Sequence, residues 1–497
     1  MLHAEKITDI DTLRQMAVLL VRENDRLHER LRKLLEENSR LRGEDGGNLQ
    51  RELDILKEQL ASRERALFGD SSEKRKRPDT EKKPPASSPP QRGHGPKEQP
   101  ELPSLEKIHE LDEADKVCRE CGGELVEMGQ FEESEEVTVV ERSFVLVKHR
   151  RKKYRCRCNA CVETALGPAK LKPGSRYSPE FAVEVVTAKY LDHIPLERQV
   201  RIMGREGLRV DSQTLWDQAE TVARLLAPSG RALFDLVLAE ELVHADESWW
   251  RLMETKAAKR WWAWSVGTEE AVCYKILDSR SQEAAREVLG QYRGIVMADA
   301  YGVYAALSRA APGFTLAHCW AHVRRKFAEI EEHYPGPASE ILALIGRLYD
   351  VEREASLAGE KAEVRSRRSV LRAERSRGIV SEIQRWAMAQ RALPESGLGR
   401  AMAYMFGIWK GLTLFLDDPR IPLDNNLAER GLRGLVVGRK NHYGSRSRRG
   451  TEVAALFYSL VESAKLAGVD PKAYLLKAVH AAIADPKAVT LPRDLLA

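Results

Sequence analysis

Long apolar runs are missing from this sequence of 497 residues. Nothing approaches the roughly 20 consecutive apolar residues of a membrane-spanning helix, and the charged, polar start lacks the apolar core of a signal peptide. No membrane partner and a cytoplasmic location are therefore expected. Cysteine is scarce and unevenly placed. Five of the seven, Cys118, Cys121, Cys156, Cys158 and Cys161, fall in one short region, while Cys273 and Cys319 stand apart. An odd, clustered set argues for a metal site over a disulfide framework. Net charge is low as well, +5, so overall composition does not announce nucleic acid and local clustering has to. With 43% hydrophobic residues the chain can bury a real core and should hold more than one domain.

What is present begins with heptads. Leu13, Leu20, Leu27, Leu34 and Leu41 recur every seven residues, with Ile10, Ala17, Asn24, Leu31 and Asn38 three positions earlier. Leucine at d with asparagine at some a positions predicts a parallel, register-specific dimer, because each buried asparagine is satisfied only opposite its own kind. A second frame follows the break GEDGG. From about Asp70 to Ser104 the chain is rich in Lys, Pro, Ser and Glu without apolar periodicity, the composition of a disordered linker.

Cys118 and Cys121 form one C-x-x-C pair, and Cys158 and Cys161 another. Between them EEVTVVERSFVLVKHRRKKYRC alternates like a β-hairpin. Two cysteine knuckles flanking a hairpin suit a zinc-ribbon-like module in which four thiolates close a tetrahedral structural site. Cys156 is an alternative ligand in place of Cys158. Arg150, Arg151, Lys152 and Lys153 lie on the segment leading to Cys156 with no acid among them, a candidate phosphate-binding surface. Further on, Ser178-Pro179-Glu180 predicts a helix start. A helix through about Arg205, a turn at Gly207 and a second helix capped by Asp211 or Ser212 give a helix-turn-helix-like outline, whose second helix would carry Gln213, Thr214, Trp216 and Asp217.

From Glu240 the pattern changes to strands. LVHADESWWRLM and RWWAWSVGTEEAVCYKIL predict three antiparallel strands, SQEAAREVLGQY a helix, GIVMAD a fourth strand and FTLAHC a fifth. That order is the order of a ribonuclease-H-like fold, in which the first and fourth strands are neighbours. Asp246 and Asp299 end two of the apolar runs, and Glu429 sits on a helix in a basic stretch. Three carboxylates at strand and helix ends suit two Mg²⁺ (or Mn²⁺) ions acting on a phosphodiester, because hard cations prefer oxygen and keep waters and phosphates in their shells. Glu247 should face the other side of its strand, and Asp424 reads as a helix cap. Residues of about 320–415 separate the fifth strand from Glu429. VEREASLAGEKAEVRSRRSVLRAERSRGIVSEIQRWAMAQ within it is too charged for a buried core and predicts an inserted helical subdomain. His318, Cys319 and His322 are too few for a second zinc site and read as packing or support of the nearby acids.

The whole is expected to be a multidomain α+β protein. Its parts would be a coiled-coil dimerisation region (1–69), a linker (70–104), a zinc-binding module (105–170), a helical DNA-binding region (171–234), a ribonuclease-H-like α/β catalytic domain with a helical insertion (235–460) and a helical tail (461–497). The motifs ALFGDSSEKR, KYLDHIPLERQ, HADESWW, MADAYGVY, HCWAHVRRKF, DNNLAERGLRGLVVGRKNHYGS and LVESAKLAGVDPKAYL resemble, nearly end to end, a bacterial transposase of the insertion sequence 66 family. The resemblance implies a DDE transposase whose triad maps onto Asp246, Asp299 and Glu429, acting with Mg²⁺ on the terminal inverted repeats of its element and on target DNA. It also implies a zinc-binding, DNA-contacting cysteine module and accessory proteins of the same element. Arg433, Arg439, Lys440 and Asn441 match the family's basic stretch and are assigned to DNA phosphates. Two departures stand out: CRCNAC carries an extra cysteine, and the LPRDLLA terminus lacks the family's tryptophan-containing tail. The competing readings are a purely hydrolytic nuclease and a zipper-dimerised, zinc-containing regulator without catalysis. Metal analysis of the 105–170 segment refolded with zinc should return about one zinc per chain; a stoichiometry near zero would defeat the zinc reading.

Overall fold

The computed structural model describes residue 120 and residues 143–155, 162–254, 260–310 and 313–496. The heptads, the linker and the cysteines 118, 121, 156, 158 and 161 lie outside the described residues. From Phe144 onward the described residues belong to one unit. Its secondary structure is mixed α+β.

Strand β1 (Lys153–Arg155) pairs antiparallel with β2 (Val162–Thr164), Lys153 opposite Thr164 and Arg155 opposite Val162. The first part of the hairpin expected ahead of Cys156, before residue 143, lies outside the described residues. Residues 143–152 have no strand assignment, and the paired strands instead flank positions 156–161, which hold three cysteines.

Helix α1 (Pro179–Tyr190) starts where the sequence places it, with Ser178 Oγ accepting from Phe181 N at 3.2 Å and proline at the first position. The helix expected to run through about Arg205 ends there, and a break separates it from the helix before it. His193 takes φ 58°, Pro195 has no N–H to donate, and α2 (Leu196–Arg205) begins afresh. Gly207 makes the turn at φ 86°, which a side chain would oppose, and Asp211 caps α3 (Ser212–Leu238) by accepting from Thr214 N. Leu215, Ala219, Val222, Leu226, Leu233 and Val237 recur along one stripe of α3 and are buried.

The sheet comprises β3 (Leu242–Arg251), β4 (Arg260–Gly267), β5 (Val272–Leu277), β6 (Ile295–Ala298) and β7 (Thr315–His318), in the order β5-β4-β3-β6-β7. The first three strands are antiparallel, and β6 runs parallel to both β3 and β7. Helix α4 (Gln282–Leu289) leads into β6, and α5 (Gly302–Arg309) connects β6 to β7. All of β6, Ile-Val-Met-Ala, is buried, as a parallel strand covered on both faces should be.

Between β7 and the last helices lie α6 (Trp320–Ala328), α7 (Pro335–Ser356), α8 (Lys361–Leu371), a π-helical turn (Arg372–Ser376), α9 (Arg377–Ala389), α10 (Gly397–Gly407) and α11 (Trp409–Thr413). The charge of this segment is misleading. Ile341, Ile345, Leu348 and Val351 of α7 and Ile379, Val380 and Ile383 of α9 form a buried core that continues onto Ile295, Met297 and Ala317 of the sheet. Arg372 is itself wholly buried: its guanidinium forks onto Glu352 at 2.7 and 2.8 Å, donates to Phe415 O and lies 5.1 Å from the Phe415 ring. The segment returns under β7, where any side chain in place of Gly411 would collide with the His318 ring.

Helices α12 (Asn426–His442), α13 (Arg448–Leu466) and α14 (Pro471–Ala484) complete the unit, with α12 packed on β3 and β4 and α13 on β5. No helix among the described residues is long and apolar enough to cross a membrane. Arg372→Ala opens a buried cavity and leaves Glu352 with Arg368 alone, 3.0 Å away, so it should cost about 3 kcal/mol and lower the urea midpoint. Arg372→Met combined with Glu352→Leu should recover most of that loss, and an unchanged midpoint in Arg372→Ala would show the pair to be dispensable.

Candidate active site

Strand β6 pairs with β3 only from Leu242 to His244, and Asp246 lies two residues past that pairing. Asp299 directly follows the last residue of β6. The two strands are neighbours as expected, but only Asp299 stands at a strand end: Asp246 is in the middle of β3, which runs on to Arg251. Glu429 comes from the first turn of α12, which crosses the same sheet region.

One buried residue sets the crossing. Asn425, the residue before α12, is 0% exposed. Its Nδ2 donates to Ala245 O at 2.8 Å, its Oδ1 faces His244 Nδ1 at 2.9 Å, and its backbone N–H donates to Cys319 Sγ at 3.2 Å. With Nδ2 donating, Oδ1 must accept, so His244 carries its proton on Nδ1. Burial holds the His244 pKa down and keeps the ring neutral. Asp424 contributes to the same helix start by accepting from Asn426 N at 3.1 Å.

The neighbouring acids act on Asp246. Asp246 is pushed up to about 8, first by burial and then by the negative charges of Glu247, Asp299 and Glu429. Its Oδ1 accepts from Glu247 N at 2.8 Å, and Asp299 Oδ1 accepts from Tyr301 N at 2.9 Å. Glu429 Oε1 is buried without a hydrogen bond, and His322 Nε2 and Arg325 Nη2 each stand 3.5 Å from it. Burial and Arg325 lower the His322 pKa, against the pull of Glu429 and Asp299. The expected supporting place of His322 is thus beside Glu429.

Glu247 is a different kind of acid. Its Oε1 receives Arg280 Nε at 2.8 Å and also Arg280 Nη2, and Oε2 receives the Tyr304 hydroxyl at 2.7 Å. Both oxygens are occupied by the protein itself.

The basic candidates separate. Arg150, Arg151, Lys152 and Lys153 are exposed, and Arg151 Nε donates to Ala165 O. Arg433, Lys440 and Asn441 are exposed on α12. Arg439 departs from the expected phosphate role, being 7% exposed. Its Nη1 donates to Ser248 Oγ at 2.9 Å and to Trp249 O, and its guanidinium lies 4.0 Å from the Trp249 ring. The reason is helical phase: Ala428, Leu432, Leu435 and Arg439 share one inward stripe of α12.

Residue types here suit a hard divalent cation. The acids are oxygen donors, Asp246 carries uncompensated repulsion, and Glu429 has a buried oxygen lacking a donor. Among the described residues no three His, Cys, Asp or Glu side chains are grouped so as to hold one metal ion. A two-ion site does not require such a group, since each ion can take two carboxylates and complete its shell with water and phosphate oxygens.

Sequence reasoning overlooked Asn425, Arg325 and Arg280. An asparagine at a helix start reads as a cap by default, and the arginines are hidden among many.

Residues 174–453 match the family described as Transposase IS66 family, and residues 115–159 match the zinc-finger binding domain of transposase IS66. The second match spans Cys118, Cys121, Cys156 and Cys158 and ends before Cys161. Among curated proteins of Sinorhizobium fredii (strain NBRC 101917 / NGR234), the uncharacterized protein y4jD is 30% identical over 395 residues, 75% of this chain and 76% of its own length. The uncharacterized protein y4hP is 29% identical over 413 residues, 77% of this chain and 73% of its own length. With one family match over more than half of its length and the zinc-finger match ahead of it, the chain belongs to the IS66 family of transposases.

Proposed function

We propose that the chain binds the terminal inverted repeats of its element, breaks DNA strands there and joins the exposed 3′-hydroxyls to target DNA, with Asp246, Asp299 and Glu429 as the catalytic acids. The observation that carries this reading is that acids drawn from β3, the end of β6 and the first turn of α12 come close enough for Asp299 and Glu429 both to raise the Asp246 pKa. The strand order β5-β4-β3-β6-β7 supports the ribonuclease-H-like assignment of the domain. Bound Mg²⁺ or Mn²⁺ would supply an activated water or 3′-hydroxyl and stabilise the departing oxygen. Asp246 would hold a position shared between two ions, with Asp299 and Glu429 on either side. Arg325 and His322 keep Glu429 aimed at that place, and burial of Asp246 keeps bulk water from screening it. Arg433, Lys440 and Asn441, exposed on the same helix as Glu429, would take DNA phosphates, as would Arg150 to Lys153 beside a structural zinc. That zinc would be held by Cys118 and Cys121 with Cys158 and Cys161, or with Cys156 as a substitute. The N-terminal heptads would pair two copies, and accessory proteins of the element would assist.

Purified protein with labelled terminal repeats and Mg²⁺ should nick the ends and join them to target DNA. Removing a second-shell partner of a metal site typically costs 10–100-fold, so Asp246→Ala, Asp299→Ala and Glu429→Ala should each lower nicking by more than about 100-fold. Retention of nicking by these variants would reject the assignment, and nicked ends that never join would indicate a hydrolytic nuclease instead.

Asp246 also links the site to stability. Its carboxyl, lifted to about 8 in the folded chain, holds a proton more tightly than in the unfolded chain, where the value is near 4. The folded state therefore binds more protons between about pH 4 and pH 8, and stability falls as pH rises through that window. Asp246→Asn should raise the thermal midpoint of the metal-free protein at pH 8 by about 2 °C or more, with the gain fading towards pH 4, while nicking is lost. A variant no more stable than the parent at pH 8 would overturn this linkage.

A further inference from the structure

The helical insertion meets the acids at its first helix. His322 and Arg325 lie one turn apart on α6, opposite the buried stripe of Trp320, Val323 and Phe327, and each stands 3.5 Å from Glu429 Oε1. Trp320 Nε1 donates to Leu412 O at 2.8 Å, so the helix that carries them is tied down at its start. The contact that Arg325 makes is unlike the other arginine–carboxylate pairs around buried acids of this chain. Arg372 forks onto Glu352 at 2.7 and 2.8 Å, and Arg280 reaches Glu247 at 2.8 Å, the geometry of charge-assisted hydrogen bonds. Arg325 stays outside that range, and Glu429 Oε1, although buried, accepts no hydrogen bond among the described residues. The Arg325 side chain is also 39% exposed, where that of Arg372 is 1%. Arg325 therefore attracts Glu429 without being committed to it, and it keeps a way out to solvent.

Glu429 cannot give that oxygen to a guanidinium and to a divalent cation together, because two positive charges would then face each other across it. A carboxylate oxygen suits the hard cation. A cation held there keeps phosphate oxygens in its own shell, about 2 Å away, and a guanidinium at contact distance from the same carboxylate has only to turn about its side-chain bonds to meet them. Its planar fork of donors matches two phosphate oxygens. During phosphoryl transfer negative charge gathers on the oxygens that neither attack nor leave, and an arginine placed on them stabilises the transition state.

We infer that Arg325 changes partners: it steadies Glu429 in the metal-free chain and, once a divalent cation is held there, donates to the two non-bridging oxygens of the reacting phosphate. The helical insertion then supplies a catalytic residue to a site whose acids come from β3, the end of β6 and α12. This rests on the strand-cleavage reading above. Arg325 takes up no proton and forms no covalent bond. The attacking oxygen bonds to phosphorus, the bond to the departing oxygen breaks, and the guanidinium holds the oxygens that do neither.

The test uses the full-length protein and separates metal, DNA and chemistry. Mn²⁺ alone, titrated calorimetrically into metal-free protein without DNA, should bind Arg325→Ala at least as tightly as the parent, since no guanidinium has to leave. Retained Mn²⁺ binding also shows that the variant is folded. Terminal-repeat DNA without divalent metal should bind both proteins equally, because Arg325 is still turned to Glu429 there. At saturating DNA and Mg²⁺ the nicking rate of Arg325→Ala should fall about 1000-fold, the lower end of what an arginine contributes to phosphoryl transfer. Arg325→Lys keeps the charge, loses the fork and should recover only part of that rate. If Arg325→Ala binds Mn²⁺ about tenfold or more weakly, the arginine merely positions Glu429; if it nicks at the parental rate, the arginine has no part in the reaction. Either result overturns the inference while the transposase reading stands. If the parent protein nicks no terminal repeat at all, the underlying reading fails and takes this inference with it.

Discussion

A buried primary amide has to find a partner for each of its polar atoms or destabilise the place that holds it, and Asn425 finds them on separate elements. Ala245 and His244 come from β3, and Cys319 from the junction between β7 and α6. Nothing but a particular placement of α12 over the sheet satisfies all of these bonds together. Glu429 follows one turn later, its N–H donating to Asn425 O at 3.3 Å, so the amide that fixes the helix start also fixes the glutamate. The sheet delivers two carboxylates by strand pairing, and the third arrives by this polar tie after an excursion of about a hundred residues. Trp320 N donating to Leu423 O at 2.8 Å closes that excursion, so that the chain leaves and re-enters the sheet at one place.

The far side of the sheet is managed by a comparable match of repeats. As the edge strand, β5 should present free backbone groups to solvent, which invites pairing with another chain. Ser459 and Ser463 of α13 prevent this: Ser459 Oγ accepts from Tyr274 N and Ser463 Oγ from Val272 N, both at 2.9 Å. Four residues along a helix advance about 6 Å and two along a strand slightly more, so serines at i and i+4 meet amides at j and j+2. The edge is covered by a helix in place of a strand, and the sheet ends there without a docking surface.

How much of this was legible in the sequence depended on whether the signal was local. Asp246 and Asp299 close apolar runs of β propensity, and the order of strands and helix placed β3 beside β6 before any coordinates. Ser178 and Asp211 were readable as caps because capping is settled within three residues. Charge without phase misled twice. Arg439 reads with its exposed neighbours although it shares a stripe with Leu432 and Leu435, and the stretch 351–390 reads as too charged for a core although Val351, Ile379, Val380, Ile383 and Ala387 within it are buried. Asn425 and the Arg372–Glu352 pair were out of reach because their meaning lies in partners far along the chain. Glu429 gained its role from the resemblance and its place on a basic helix, since its sequence separation from the aspartates carries no geometry.

The contrast between Asp246 and Glu247 shows how differently the fold treats two acids at adjacent positions. Strand alternation sends them to opposite faces. On one face Glu247 is sealed from solvent and answered by Arg280 and the Tyr304 hydroxyl, so its charge is balanced by the protein itself. On the other, Asp246 is half-buried, and the charged groups weighing most on it are Glu247, Asp299 and Glu429, all of its own sign. A protein under selection for stability alone would relieve that repulsion with a nearby arginine, as it does for Glu247. Arg325 approaches, but it stands 3.5 Å from Glu429 and leaves Asp246 uncompensated. Retaining an unbalanced charge where a balanced one was structurally available one residue away is what a cation-dependent phosphodiester site requires, and the opposing costs are accepted in the same strand.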